Sequence, residues 1–228
     1  MKRFLLFFFI MIGNLVISQS KYSFDYALLY DISLKKSDTK LQSIYFINST
    51  NNNYFLNTIK NKDSIHVNLY FLDFKGLSVS SKVAKADFYR AETFTNECSS
   101  VRRFANSHAY KAKEYAFEKH NDTLINDTLY FHYAIKSVKS LKHQKRKKIH
   151  SLHFIIDKNS EEFKPFLHTP LVYSLQNLKG ILPDGLTKMM YYKNYKGEIT
   201  ETLKLVGILK TDKYLTIPDE CDFIKIPK

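Results

Sequence analysis

Three histidines are the first candidates for chemistry, because each lies in a stretch where apolar and polar residues alternate: His66, His132 and His153. Alternate side chains of a β-strand share a face, so each histidine is predicted to project from the polar face of a strand. If the three strands were neighbours, their imidazoles would converge on a metal such as zinc. Strand register does not follow from the sequence, and hydrogen-bonded surface histidines are far commoner than ligands. We therefore predict no metal ligands and no cofactor.

The sequence patterns of the common enzyme classes are absent. Gly76 precedes Ser78, but Ser80 stands where the nucleophile elbow of hydrolases needs a second glycine. The helical zinc signature and the glycine spacing of nucleotide loops are also missing. Acid pairs such as Glu161 and Glu162 are not distinguished from the other acids of the chain. We predict no catalytic residues, and an exported hydrolase with an unfamiliar site remains an alternative.

Cations cluster between two predicted strands, residues 129–135 and 152–156, and therefore lie in the connection of a long hairpin. A basic run attracts phosphates through counterion release. Single-stranded nucleic acid also needs stacking aromatics, and none lies between Tyr133 and Phe154. We predict a solvated loop and no nucleic-acid partner, with contact to anionic lipid or surface polysaccharide as the alternative. The residues of this candidate anionic-surface contact are Lys139, Lys142, Lys145, Arg146, Lys147 and Lys148.

The amino terminus has the pattern of a secretory signal peptide. Lys2 and Arg3 precede an apolar run over residues 4–17, and Ser18 follows that run. The run is shorter than the roughly 20 residues that a membrane-spanning helix needs. We predict cleavage after Ser18, which leaves residues 19–228 as a single β-rich domain in the periplasm or outside the cell.

Export would place the two cysteines of the chain, Cys98 and Cys221, in an oxidising compartment. One interpretation is a single disulfide, worth roughly 4 to 5 kcal/mol in the chain-entropy model because the closed loop is long. The other is a pair of separate, buried thiols. The chain is also strongly basic, with a formal net charge of +13, so anionic surfaces are among its expected partners.

Alternation of period two recurs along the chain and predicts a mainly β fold. Helices are predicted at residues 161–166 and at 99–119, where Ser107 would be the cap, although the aromatics of the second segment suit a strand equally. We predict an antiparallel curved sheet, or an open barrel or sandwich, with one or two short helices. The predicted strands are 22–32, 43–48, 54–59, 65–71, 77–82, 87–94, 129–135, 152–156, 189–192 and 199–209, with a short edge strand at 213–218.

Aromatic residues are abundant, with 16 tyrosines, 18 phenylalanines and no tryptophan. Core filling and cross-strand pairing explain most of them. A curved sheet whose concave face keeps an apolar pocket is the sharper interpretation, and strands such as residues 65–74 are its expected place. Three hypotheses follow: an exported envelope protein that binds an apolar or lipid-like ligand, a protein–protein assembly factor of the envelope, and the hydrolase named above. We favour the first, without catalysis.

Residues 180–186 read Gly-Ile-Leu-Pro-Asp-Gly-Leu, and a tyrosine-rich strand, a turn at Lys196 and Gly197, and a strand from Ile199 follow. This segment, with Asp184 inserted before Gly185, resembles the carboxy-terminal hallmark of the GLPGLI family of exported Bacteroidetes proteins. The resemblance implies a mostly β envelope protein. It supplies no catalytic residues.

Overall fold

The computed structural model describes residues 19–35, 37–60, 65–106 and 109–224. The predicted signal peptide and the predicted helix cap Ser107 lie outside these residues. The strands are β1 Gln19–Leu34, β2 Ser37–Asn48, β3 Asn51–Lys60, β4 His66–Asp73, β5 Leu77–Ala84, β6 Thr93–Thr95, β7 Val101–Arg103, β8 Tyr115–Lys119, β9 Thr123–Ile125, β10 Thr128–Ser137, β11 Ser151–Asp157, β12 Thr187–Lys193 and β13 Ile199–Pro218. The helices are α1 Lys85–Arg90, α2 Leu141–Lys147 and α3 Pro170–Lys179.

All of these strands belong to one 13-stranded sheet in the order β7-β5-β4-β3-β2-β1-β13-β12-β11-β10-β8. β9 pairs with β10, and β6 runs parallel to β13, while the other pairs are antiparallel. The sheet does not close, because β7 and β8 form its two edges. The prediction of a mainly β protein with an open antiparallel sheet is therefore confirmed.

Two hydrophobic clusters form on opposite faces of this sheet. The first lies under α3 and the segment before it, and it includes Tyr30, Phe154 and Leu175. The second lies under α1 and β6 and includes Phe71 and Phe88. Strands in the middle of the sheet contribute to both clusters because successive side chains point to opposite faces.

Neither segment predicted as a helix forms an α-helix in the part that the structure describes. The described residues of 99–119 form β7, β8 and two short 3₁₀ turns, because the aromatic segment at 115–119 pairs with β10, as the strand alternative expected. Residues 161–166 form turns in which the Lys164 amide donates to the Ser49 carbonyl. The longest helix, α3, was not predicted, although Thr169 caps it, Pro170 opens it and Gly180 ends it in the left-handed region.

Two predicted strands also need correction. Residues 87–94 divide between α1 and β6, with Phe88 turned into the second cluster. Residues 213–218 are no edge strand, because they continue the central strand β13 and pair with β1.

The β10–β11 hairpin forms as predicted, with Tyr133 opposite Phe154. Its connection is not a plain loop but contains α2. The Ser140 side chain accepts a hydrogen bond from the His143 amide, and the straight-chain residues that follow favour a helix. Within the described part of the chain, none of the helices has the length and apolar character that a membrane crossing requires.

Candidate functional site: an apolar pocket and a histidine cleft

Strands β10, β11 and β12 place two different sets of side chains on their two faces. Ile135, Leu152 and Tyr192 lie opposite one another across the three strands and face α3. His153 and Tyr191 are paired in the same register one residue away, so they face the other side. One face therefore carries an apolar pocket and the other a histidine cleft.

The apolar pocket has a volume of about 420 Å³. Its floor is buried, since Ile135, Leu152 and Val172 are 2%, 6% and 1% exposed. Its rim is cationic, because Lys111 lines it and the Lys179 ammonium donates to the Tyr115 carbonyl in its wall at 3.4 Å. The lining residues are Lys111, Tyr115, Ile135, His150, Leu152, Thr169, Pro170, Leu171, Val172 and Tyr192.

Tyr192 is held in the wall of the apolar pocket by a histidine. The Tyr192 hydroxyl and His168 Nε2 are 3.0 Å apart. Burial lowers the pKa of His168 to about 4 and raises the pKa of Tyr192. Both groups are therefore neutral at pH 7, and this polar contact brings no charge into the pocket wall.

The histidine cleft is an opening of about 440 Å³ on the other face. His120 follows β8, His132 lies on β10 and His153 on β11, and one ring nitrogen from each lies within 4.8 Å of the other two. The His120 amide donates to the His132 carbonyl, so these residues face each other across the edge of the sheet. The cleft is lined by His120, His132, Lys136, Ser137, Leu141, Gln144, Ile149, Ser151, His153, Lys193, Asn194, Tyr195 and Gly197.

Short polar contacts join the rings. His132 Nε2 is 3.1 Å from His153 Nδ1 and 3.0 Å from the Tyr191 hydroxyl, while His153 Nε2 is 3.1 Å from Ser151 Oγ. The His153 ring also stacks on Tyr191, with centroids 4.7 Å apart. His120 Nε2 is buried and has no hydrogen-bond partner among the residues that the structure describes.

Burial and neighbouring cations keep two of the imidazoles neutral. Burial, followed by the charge of Lys193, lowers the pKa of His153 to about 3. Burial, followed by the nearby His120, also lowers the pKa of His132. At the rim, Lys136 pairs with Glu118 at 2.8 Å and holds the pKa of that carboxyl below its usual range. Neutral rings offer lone pairs, which a metal ion requires.

The structure brings together two of the three histidines that the sequence analysis singled out. His66 lies on β4, which six strands separate from β10 in the order of the sheet. Its place is taken by His120, which directly follows the segment predicted as a helix at 99–119 and was not singled out. The signal that finds His120 is the alternation of Glu118 and His120 at the end of β8, combined with the pairing of β8 and β10.

Ser151 beside His153 is the arrangement that would favour the hydrolase alternative. The other ring nitrogen of His153 faces His132, where a catalytic triad has a carboxylate. The low pKa of His153 also makes it a weak general base at neutral pH. The contact therefore does not favour serine catalysis.

The residues of the candidate anionic-surface contact lie on α2 and at its two ends. Lys139 pairs with Glu114 at 3.2 Å. The others are exposed: Lys142, Lys145, Arg146, Lys147 and Lys148. α2 begins beside the histidine cleft, since Leu141 and Gln144 line it.

Cys98 and Cys221 lie in two short 3₁₀ turns, Cys98–Ser100 and Asp219–Cys221. Their Cα atoms are 5.4 Å apart, within the range of a disulfide, and the structure joins their sulfurs. The bridge would fasten the end of the described chain to the segment before β7.

No family model matches the chain, and no curated protein sequence matches it. Among solved structures, it is similar to a conserved protein from Thermus thermophilus (8% identity, 93% of this chain and 88% of that one, TM-score 0.43). It is also similar to the MucA/MucB complex of Pseudomonas aeruginosa (10%, 89% and 56%, 0.41) and to a LolA superfamily protein from Nitrosomonas europaea (9%, 82% and 84%, 0.28). These likenesses carry no argument about function, and the GLPGLI resemblance remains without a family match.

Proposed function

We propose that the protein is an exported envelope protein that binds an amphiphile, with an apolar chain and an anionic head group, in the apolar pocket under α3. The observation that carries this proposal is the combination of a buried apolar floor with a cationic rim. A volume of about 420 Å³ falls within the range of small-molecule sites, which are mostly apolar with a few polar groups.

The floor supplies the affinity for the chain. Ile135, Leu152 and Val172 present aliphatic side chains, and each methylene of a ligand buried against them contributes about 0.8 kcal/mol. The neutral contact between Tyr192 and His168 keeps charge out of the wall. An uncharged chain therefore fits this floor better than a polar ligand does.

The rim supplies the preference for an anionic head group. Lys111 lines the pocket, and Lys179 lies beside Tyr115 at its wall. A negative head group at this position would gain charge-assisted hydrogen bonds. The signal-peptide pattern and the closeness of Cys98 and Cys221 support export, which would bring the pocket into contact with envelope lipids.

Binding of a fluorescent fatty acid to the purified protein tests the proposal. Leu171→Trp is expected to weaken binding more than tenfold, because the larger side chain fills the pocket. Leu178→Trp is the matched control, since Leu178 is on the same helix, is 67% exposed and does not line the pocket. Lys111→Gln is expected to weaken binding of the fatty acid about threefold and to leave the corresponding fatty alcohol unaffected.

Equal binding by the Leu171 and Leu178 variants would contradict the proposal. Native mass spectrometry of the protein from its own envelope fraction gives a second measurement, with a bound lipid as the expected result. A stoichiometric protein partner in place of a lipid would favour the alternative of an envelope assembly factor.

A further inference from the structure

We propose that His120, His132 and His153 bind one divalent transition metal ion, of the zinc type, in the histidine cleft. The site lies on the opposite face of the sheet from the apolar pocket and shares no lining residue with it. It therefore stands independently of the proposed function.

The spacing of the ring nitrogens suits such an ion. Zinc–nitrogen bonds of about 2.0 to 2.1 Å at tetrahedral angles place ligand nitrogens about 3.3 Å apart. His132 Nε2 and His153 Nδ1 are 3.1 Å apart, and one ring nitrogen from each of the three histidines lies within 4.8 Å of the other two. The His120 ring would have to turn toward this pair to complete the set. The three residues lie on or beside hydrogen-bonded strands, which fixes their backbones.

The close contact between His132 and His153 can be bridged by a proton or by a metal ion. Two imidazole nitrogens 3.1 Å apart need a proton or a cation between them, because facing lone pairs repel. When His153 donates from Nε2 to Ser151 Oγ, its Nδ1 carries the lone pair that a metal ion requires. A hydrogen bond of this kind from the outer nitrogen is usual for a metal-binding histidine. His120 Nε2 is buried without a hydrogen bond in the described part of the chain, and the Glu118 carboxylate is 3.6 Å away.

The composition of the site indicates the kind of ion. Three imidazole ligands suit zinc and its neighbours better than calcium or magnesium, which prefer oxygen ligands. Three protein ligands leave a fourth position, which faces the cleft. Lys136 and Lys193 line that cleft, so the fourth ligand is expected to be an anion or an ionised water.

The same lysines would also suit an anion without a metal. The contact between two ring nitrogens favours the metal. An anion would be bound through N–H groups directed at it, which does not explain the direct contact between His132 and His153. Binding of phosphate to the metal-free protein is therefore the competing outcome of the test.

Zinc titration of the chelator-treated protein, followed by calorimetry and by the visible absorption of the cobalt form, tests the site. We expect one ion per chain and the absorption of tetrahedral cobalt. His132→Ala should lower the affinity about 100-fold or more, and Ser151→Ala about tenfold. His66→Ala is the matched control, because His66 lies on a strand distant from the cleft, and it should leave binding unchanged.

Replacement of His153 risks misfolding, because this residue is buried. His120→Gln is the safer second variant, because the His120 ring is partly exposed. In the unaltered protein, zinc should shift the ¹⁵N resonances of three histidine rings and leave those of His66 and His143 in place. Absence of stoichiometric zinc, undiminished affinity in His132→Ala, or phosphate binding that depends on His132 without metal would each overturn the proposal.

Discussion

The apolar pocket and the histidine cleft are built by the same strands yet have opposite character. Leu152 and His153 are neighbours in sequence, as are Tyr191 and Tyr192, and each pair divides between the two sites or their walls. A strand of period two can therefore serve two sites at once. This arrangement depends on register, because a slip of one residue would exchange every side chain between the faces.

The two sites also differ in how they treat charge. The pocket has a floor with neutral walls and cations only at the rim, whereas the cleft holds neutral imidazoles among Lys136 and Lys193. Burial lowers the pKa of histidines in both regions, but the rings converge on one another only in the cleft. The number of convergent nitrogens, more than the depth of burial, therefore distinguishes a candidate ligand set from a structural histidine.

Gly185→Ala is expected to disturb both sites and to have the largest effect. Gly185 has φ +144°, and a Cβ there would lie 2.6 Å from the Asp157 carbonyl oxygen and from Ile156 at the end of β11. Strain and overpacking should lower the free energy of unfolding by about 3 kcal/mol. At this chain length, that corresponds to a loss of roughly 10 °C in Tm, measured by calorimetry.

Gly180→Asn is the control for Gly185→Ala. Gly180 ends α3 in the left-handed region, and the described residues leave open space around its Cβ position. Its loss should stay below about 1 kcal/mol. Equal losses of unfolding free energy in the two variants would show that the close approach of Gly185 to β11 does not stabilise the strands that the two sites share.

His168→Gln tests how much of the acid dependence of stability comes from the face of the sheet that carries the apolar pocket. The pKa of His168 is lowered to about 4 in the folded protein, so the unfolded chain takes up a proton first as the pH falls. The contribution of the neutral His168 ring to the free energy of unfolding is therefore complete above about pH 6.5 and is lost between about pH 6.5 and 4. The free energy of unfolding, measured with denaturant, should fall less between pH 7 and pH 4.5 in the variant than in the unaltered protein, by roughly 2 kcal/mol.

His150→Gln, at an exposed position on the rim of the same pocket, should keep the acid dependence of the unaltered protein. Zinc binding at pH 7 should be the same in both variants, because neither side chain enters the cleft. If the free energy of unfolding of His168→Gln fell as much on acidification as that of the unaltered protein, the neutral His168 ring would not be the cause of the acid dependence.

Replacing four exposed cations with glutamine should have the smallest effect on the fold. The stability change is expected to stay within about 0.5 kcal/mol, and both sites should keep their ligands. Sedimentation with acidic vesicles should weaken, most strongly at low salt, if this segment contacts anionic surfaces. The residues are Lys145, Arg146, Lys147 and Lys148.

Lys204→Gln combined with Lys210→Gln, on β13, is the control for that surface. Per charge removed, it should weaken sedimentation less than the change on α2. Unchanged sedimentation after the fourfold replacement would remove membrane contact by this segment.

The sequence predicted most strands because their alternation is local. The prediction divided β13 after Leu209 because the polar residues 210–212 interrupt the alternation, while its pairing with β1 continues on both sides. α1 has no side-chain cap to signal its start. α3 had visible signals in Thr169, Pro170 and Gly180, which the sequence analysis did not combine.

The candidate sites were harder to predict because they depend on pairing between distant residues. The sequence analysis considered a convergence of His66, His132 and His153 and predicted no metal ligands. The structure brings His132 and His153 together, and the β8–β10 register was needed to find His120. An apolar pocket was expected at strands such as residues 65–74, whereas the apolar pocket lies between α3 and strands β10 to β12, and the position of α3 was not predicted. For Cys98 and Cys221 the sequence left two interpretations open, because spacing along the chain does not determine distance in the fold.

β1 and β13, of 16 and 20 residues, run side by side through the regions of both hydrophobic clusters. β1 places Phe24 in one cluster and Tyr30 in the other. Neither cluster can open fully unless the pairing of β1 with β13 is broken, so the two clusters are expected to unfold cooperatively. A ligand bound in the apolar pocket, beside the first cluster, would consequently slow amide hydrogen exchange in the second cluster without any change in shape.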